Sequence, residues 1–359
     1  MLYKKTMKRI ILFVMITLGG TLTVSAQTTY IANSNPGASG GTNVFTGSNS
    51  INLALAVAVT GDIIYVVPSS VIYSTPTLGG KGVTIVGGGF NPDKPVGALS
   101  ILGGVYANAN NFKLSGLVIN DVNIPGPFSN IMIEKCRVRN IGDGSGGSAK
   151  GNMIVQNCIL GEASSSGSAS IYIGSGSSNV RFSNNIIYAF GPSTSAMTRL
   201  NAAIIENNVF IGAASGGTLS AFSEVTNSDI KNNIFYGIRP NGIGTFTGNT
   251  FQHNLSFASS DNVFPTINGN TSLNNIEGED PLFADLPFGT VYNFSYDPTL
   301  QTGSPAKTTG FGGIEMGPFG GPTPFDIYGT SLPLVQAIIS PASVNEGSDM
   351  TVRIRAKGN

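Results

Sequence analysis

Tryptophan is absent from this 359-residue sequence, histidine occurs once, cysteine twice, and only 11% of the residues are charged. Without tryptophan, stacking on sugar rings is left to smaller aromatic side chains. A serine nucleophile could take its proton relay only from His253, and no motif sets an acid behind that imidazole. Low charge also weakens the case for a nucleic-acid partner, which needs a basic surface. No helical period runs long enough to connect the apolar segments, so a βαβ crossover is excluded.

Glycine is abundant instead, at 48 residues, and 41% of the chain is apolar. One phrase is said three times: Val180-Arg-Phe-Ser-Asn-Asn-Ile-Ile-Tyr188, Ala203-Ile-Ile-Glu-Asn-Asn-Val-Phe-Ile211 and Ser228-Asp-Ile-Lys-Asn-Asn-Ile-Phe-Tyr236. The second asparagines, Asn185, Asn208 and Asn233, define a register position that extends back through Cys158, Cys136 and Leu117 and forward to Asn254. Three places earlier stand Leu114, Ile133, Val155, Phe182, Ile205, Ile230 and Phe251; two places later stand Ile119, Val138, Leu160, Ile187, Phe210, Phe235 and Ser256. Such a period is of solenoid length. Short alternating runs separated by Gly, Ser and Asn, with no helix between them, predict an all-β chain: a single-stranded right-handed parallel β-helix, each coil lying about 4.8 Å above the last. Identical amides in register can then bond along the axis, and asparagine also tolerates the left-handed backbone of a sharp turn.

Cys136 and Cys158 hold the same position in adjacent coils. Stacked Cβ atoms lie near the inter-strand spacing, beyond the ~3.8 Å of a relaxed bridge, so free thiols are expected. Asn52 to Val59 favours a short helix capping the N-terminal end of the core, and residues 28–50 should run irregularly into the first coil.

On these residues the chain resembles the secreted right-handed parallel β-helix proteins of the pectate-lyase-like superfold. Gly61-Asp-Ile-Ile-Tyr-Val-Val-Pro68 and Val83-Thr-Ile-Val-Gly-Gly-Gly89 resemble their opening coils. Glu279-Asp-Pro-Leu-Phe283, Leu300-Gln-Thr-Gly-Ser-Pro-Ala306 and Met316-Gly-Pro-Phe-Gly-Gly321 resemble closing coils, so the resemblance spans roughly residues 28 to 321. It implies a fold more than an activity, since the superfold hosts lyases, hydrolases, adhesins and proteins without catalysis.

A lyase of this kind needs a cation, usually Ca²⁺ on clustered carboxylates, and an Arg or Lys that takes a proton beside a uronate carboxylate. The nearest match is Asp121, Glu134 and Asp143 around Lys135, Arg137 and Arg139; Arg137 and Arg139 share one strand face that could hold an acidic sugar. Val118 and Ile159 flank Arg137 in the adjoining coils, and Asn120 and Gly161 flank Arg139, which favours a solvated charge cluster. Related hydrolases use paired Asp residues with Gly-His-Gly, and neither occurs here. His253 replaces a turn asparagine, one place before the register position, where other coils carry Asn157, Asn184, Asn207 and Asn232. Glu277, Glu279, Asp280 and Asp285 are the densest acidic patch, read as a closing turn in preference to a Ca²⁺ site. Tyr188 and Tyr236 should point outward and could stack on sugar.

The termini complete the expectation. Lys4, Lys5, Lys8 and Arg9 precede an apolar run, and Val24-Ser-Ala26 offers a cleavage site, so residues 1–26 read as a secretory signal peptide. The run is too short to span a membrane. The mature chain would hold 15 basic against 19 acidic residues, a net charge of about −4. Residues 27–321 form the β-helix, and residues 322–359 a Pro-containing tail whose end, from Met350 to Ala356, alternates like a half-buried strand. One place after the register position, Val118, Arg137, Ile159, Ile186, Val209 and Ile234 should make an outward aliphatic stripe, covered by that strand or by a partner. The sequence is thus read as a secreted, non-catalytic β-helix for surface structure, adhesion or glycan binding, with no cofactor required and a polysaccharide or another cell-surface protein as partner. A pectate-type lyase acting on an acidic glycan, with Ca²⁺, is the alternative. Lys135, Arg137, Arg139, Tyr188 and Tyr236 are the candidate ligand-binding residues, and none is assigned a catalytic or metal-binding role.

Overall fold

In the computed structural model, residues 26–92, 98–142, 148–161, 171–174, 176–189, 195–212, 216–287, 293–329, 334–339 and 353–357 are described. The segment read as a signal peptide lies outside them, apart from Ala26, as does Asp143. Successive coils add one strand each to long parallel sheets, which makes the chain a right-handed parallel β-helix. The first sheet has 12 strands and begins with Val44–Thr46, Thr29–Asn33, Ile63–Val66 and Thr84–Val86. Residues 29–33 and 44–46 are therefore regular strands, although that region looked irregular in sequence. It ends at Thr250–Gln252 and Thr271–Leu273.

The second sheet has 14 strands. Two of them, Val118–Asn123 and Arg137–Gly142, are unbroken, and on both sides of this pair the sheet divides into two columns of shorter strands. Toward the C terminus one wing runs through Ile159–Leu160, Ile186–Ala189, Val209–Gly212, Ile234–Tyr236, Leu255–Phe257 and Ile276–Glu277. The other runs through Ile171–Tyr172, Met197–Asn201, Ser220–Thr226 and Arg239–Ile243. The coil thereby gains a third side.

The sequence columns are columns in space. Leu114, Ile133, Val155, Phe182, Ile205, Ile230 and Phe251 are successive register partners, and so are Ile119, Val138, Leu160, Ile187, Phe210 and Phe235. All point into one continuous core. Within it Phe210 and Phe235 stack with centroids 4.9 Å apart and planes 6° off parallel, the spacing that one coil imposes.

Each asparagine pair divides two tasks. The first member, Asn184, Asn207 or Asn232, holds the left-handed backbone, as does Asn157 before Cys158, with φ between 53° and 56°. The second turns into the core and builds the ladder. Asn208 Oδ1 accepts from the Asn185 backbone N–H at 3.0 Å and from its amide at 2.9 Å, while the Asn208 amide donates to Phe182, Glu206 and Asn233. The same pattern continues through Asn233, Asn254 and Asn275. The conformational tolerance that the sequence suggested for the ladder residue belongs to its neighbour.

Helix α1 (Ser50–Val57) covers the N-terminal end of the core with Ile51, Ala54 and Leu55. It removes that end of the solenoid from edge-to-edge association. Lys81 donates from below to the carbonyls of Leu55 and Ala56, near the C-terminus of the helix, where a cation is favoured.

Cys136 and Cys158 are free and fully buried. Loss of hydration pushes the Cys136 thiol up to about 12 and the Cys158 thiol well above its ordinary value. The thiolate is the reactive form. Iodoacetamide at pH 8 should therefore leave the folded protein unlabelled and add two groups once denaturant is present, as read by intact mass; rapid labelling of the native chain would contradict this burial.

Candidate functional site

The solenoid does not close by adding coils after Ile276–Glu277. Residues 283–287 and 293–329 instead double back along the outside and cover the first wing of the second sheet. Phe283–Asp285 and Asp297–Leu300 pair antiparallel. Phe283, Leu286, Leu300, Ala306, Met316 and Phe325 then bury the stripe formed by Ile159, Ile186, Val209, Ile234 and Leu255 in a second apolar core outside the first. The stripe is covered intramolecularly, as one reading of the sequence required. Among the described residues the cover is this returning strap; Arg353–Lys357, at the end of the chain, pairs antiparallel with Leu334–Ile339.

What seats the strap is the column of left-handed asparagines. Their side chains face outward, and each bonds its backbone. The Asn232 carbonyl accepts from Phe311 N–H at 2.6 Å. The Asn207 amide donates to Glu315 and Gly317 at 3.3 and 3.4 Å, and that of Asn184 to Pro318 and Gly320 at 2.9 and 2.7 Å. Asn157 donates to the Thr323 carbonyl and accepts from Asp326 N–H, at 3.1 and 2.9 Å. A backbone of turns, with no strand partner of its own, needs such bonds when it leaves water. The fit is close: a Cβ on Gly317 would lie 2.8 Å from Ile234 Cδ1, and one on Gly320 would lie 1.8 Å from the Glu315 carbonyl oxygen.

His253 belongs to the same column, with φ 50°. Its Nδ1 donates to the Thr309 carbonyl at 2.9 Å, and its Nε2 accepts from Asn274 at 3.2 Å, which fixes the tautomer. As the sequence suggested, it substitutes for a turn asparagine.

The candidate binding residues fall largely under this strap. Lys135 pairs with Asp326 at 3.3 Å, and the Arg137 guanidinium lies 5.6 Å from the ring centroid of Phe294. Tyr188 and Tyr236 do point away from the inner core, but the strap buries them, at 1% and 7% exposure. The Tyr236 hydroxyl donates to the Leu286 carbonyl at 3.1 Å, and burial followed by the charge of Asp280 pushes its pKa up to about 12. Neither ring offers a face for sugar, which corrects the stacking expectation. Arg139 binds Asp121 at 2.7 Å, and the same carboxylate accepts from Asn140 at 2.6 Å. Glu134 stands on the other sheet, where Lys113 lies 2.7 Å away and Gln156 and Ser115 donate to it. Burial opposes its charge, but these partners outweigh burial and hold the carboxyl below its ordinary range.

These carboxylates do not fit a Ca²⁺ ion. Among the described residues, no three His, Cys, Asp or Glu side chains gather in a metal-binding arrangement. Asp121 and Glu134 are spent on neighbouring cations and amides. In the acidic patch Glu277 accepts from Phe264 N–H, 13 residues away, and Asp280 accepts from Leu282 N–H in a local turn.

The outer face of the first sheet carries coil-to-coil ion pairs. Glu206 sits between Arg181 and Lys231, the latter 3.5 Å away, and Lys231 also reaches Asp229 at 3.0 Å. Among the described residues no helix is long and apolar enough to cross a membrane.

Comparison with family models and with curated proteins gives no match. Among solved structures, the crystal structure of the pectate lyase Pel9A is similar over 83% of this chain and 97% of that one, with a TM-score of 0.47 and 15% identity.

Proposed function

We propose that this protein acts outside the cytoplasm and without catalysis, as an elongated scaffold for surface structure, adhesion or glycan binding. The observation that carries this reading is the strap seated over the candidate basic residues. Lys135 and Arg137, which a lyase would hold open to a uronate, are engaged by Asp326 and Phe294 of the same chain. Arg139 is neutralised by Asp121. Proton abstraction needs a base within reach of substrate and a cation to acidify the carbon, and Lys135 and Arg137 are taken up by contacts to the strap.

The test uses the mature chain from Gln27 with polygalacturonate and Ca²⁺, followed by ultraviolet absorbance of unsaturated products. No product is expected. Product accumulating in proportion to protein concentration would overturn the reading in favour of a lyase. Fractionation of the producing cells should recover a chain that starts at Gln27 outside the cytoplasm; an uncleaved cytoplasmic chain would overturn the localisation.

A further inference from the structure

The other wing of the second sheet holds a cluster that the scaffold itself does not require. Arg199 and Glu224 occupy one position in successive coils, between the register pairs Thr198 with Ser223 and Leu200 with Val225. Both have left-handed backbones, at φ 58° and 51°. Elsewhere the described chain mostly gives such positions to asparagine or glycine, and the next coil sets Gly244, φ 68°, against Glu224. Asparagine and glycine accept that backbone readily; arginine and glutamate do not.

The two side chains are 35% and 45% exposed and meet at 2.9 Å, Nε to Oε2. The guanidinium also lies over Tyr172, 4.9 Å from the ring centroid, and donates to the Tyr172 hydroxyl. An exposed ion pair returns less stability than two unfavourable left-handed residues cost. Stability alone would have placed asparagine there. Strain held by side chains turned toward solvent points to a site.

Its chemistry is specific in kind. Glu224 cancels the charge of Arg199, so the cluster presents fixed donors and acceptors with no net charge. A sugar hydroxyl both donates and accepts and matches that pattern. A uronate carboxylate would meet Glu224 as a like charge. Half-buried Thr198 and Ser223 add hydroxyls alongside, and the ring and hydroxyl of Tyr172 supply an apolar and a polar edge together.

We propose that Tyr172, Arg199 and Glu224 form a binding subsite for a neutral glycan on the third side of the coil. The proposal rests on the non-catalytic glycan-binding reading and gives it a ligand class. The test titrates the full mature chain with laminarin, galactomannan and pullulan as neutral probes, and with polygalacturonate as the acidic arm, by affinity electrophoresis and calorimetry. At least one neutral polymer should bind, with little dependence on salt. Tyr172→Ala and Glu224→Gln should each weaken that binding by about tenfold or more. Arg199→Asn separates binding from folding, because asparagine suits the left-handed backbone: its Tm should hold or rise while binding falls by a similar factor. Three results would overturn the subsite: no neutral probe binds, binding persists in Glu224→Gln and Arg199→Asn, or these variants lose polygalacturonate binding alone. Cleavage of polygalacturonate would strike the non-catalytic reading instead, so the two failures are distinguishable.

Discussion

Asn208→Ala is expected to remove about 4 kcal/mol of stability, a large loss for a substitution that deletes one small amide. The residue is fully buried, and its side chain serves both neighbouring coils. Without it the backbone N–H and the amide of Asn185 lose their common acceptor, and the carbonyls of Phe182 and Glu206 lose a donor. The Asn233 carbonyl loses its bond to the Asn208 amide as well. Unsatisfied buried groups cost about 1–3 kcal/mol each, reduced by whatever relaxation the coil allows. Asn227→Ala is the control, since Asn227 also bonds an asparagine of the preceding coil, at 3.0 Å, but in solvent. That change should cost about 1–2 kcal/mol, mostly for placing alanine on the left-handed backbone of Asn227, φ 52°. Urea midpoints of the two variants measure the difference, and equal midpoints would mean that the buried ladder carries no special weight.

A chain ending at Gly278 should associate or precipitate where the full chain stays dispersed. Removing the strap uncovers Ile159, Ile186, Tyr188, Val209, Ile211, Ile234, Tyr236 and Leu255 as one contiguous apolar face. It also leaves Asn157, Asn184, Asn207 and Asn232 without their strap partners, though these amides can turn to water. The expected readings are strong binding of an environment-sensitive dye and a shift to high mass in light scattering. Met316→Ala tests the same contact with the chain intact, and should cost about 2–5 kcal/mol because Met316 is fully buried in the outer core. A truncated chain that remains monomeric and dye-silent would show that the outer core is dispensable.

Much of this architecture was legible in the residues. The inward columns through Leu114 and Ile119, the asparagine column through Asn208 and the outward stripe through Ile186 all follow from a repeat whose equivalent positions face one direction. The strap was not, because residues 300–329 repeat nothing and their partners lie far away in sequence: Asn184 reaches Pro318 across 134 positions. That hidden layer also explains the tyrosines. Their direction followed from the register of Tyr188 and Tyr236, but their burial depended on chain that periodicity cannot place. The turn asparagines Asn157, Asn184, Asn207 and Asn232 form a column of their own beside the ladder, but their left-handed backbone already accounts for them, so nothing in their spacing pointed to the strap that their side chains hold. Arg199 and Glu224 left no trace either, because neither residue type announces a left-handed backbone.

The chain winds so that equivalent positions lie one strand spacing apart, and spin-label distances measure that spacing. Thr271 and Ile154 are five coils apart in the register of the first sheet, Thr271 and Met132 six, and Thr271 and Thr84 eight. At about 4.8 Å per coil the backbone separations are roughly 24, 29 and 38 Å. Measured distances that grow in these proportions, whatever the number of residues between the labels, are the expected result. Distances that fail to rise with coil number would contradict the stacked solenoid and everything built upon it.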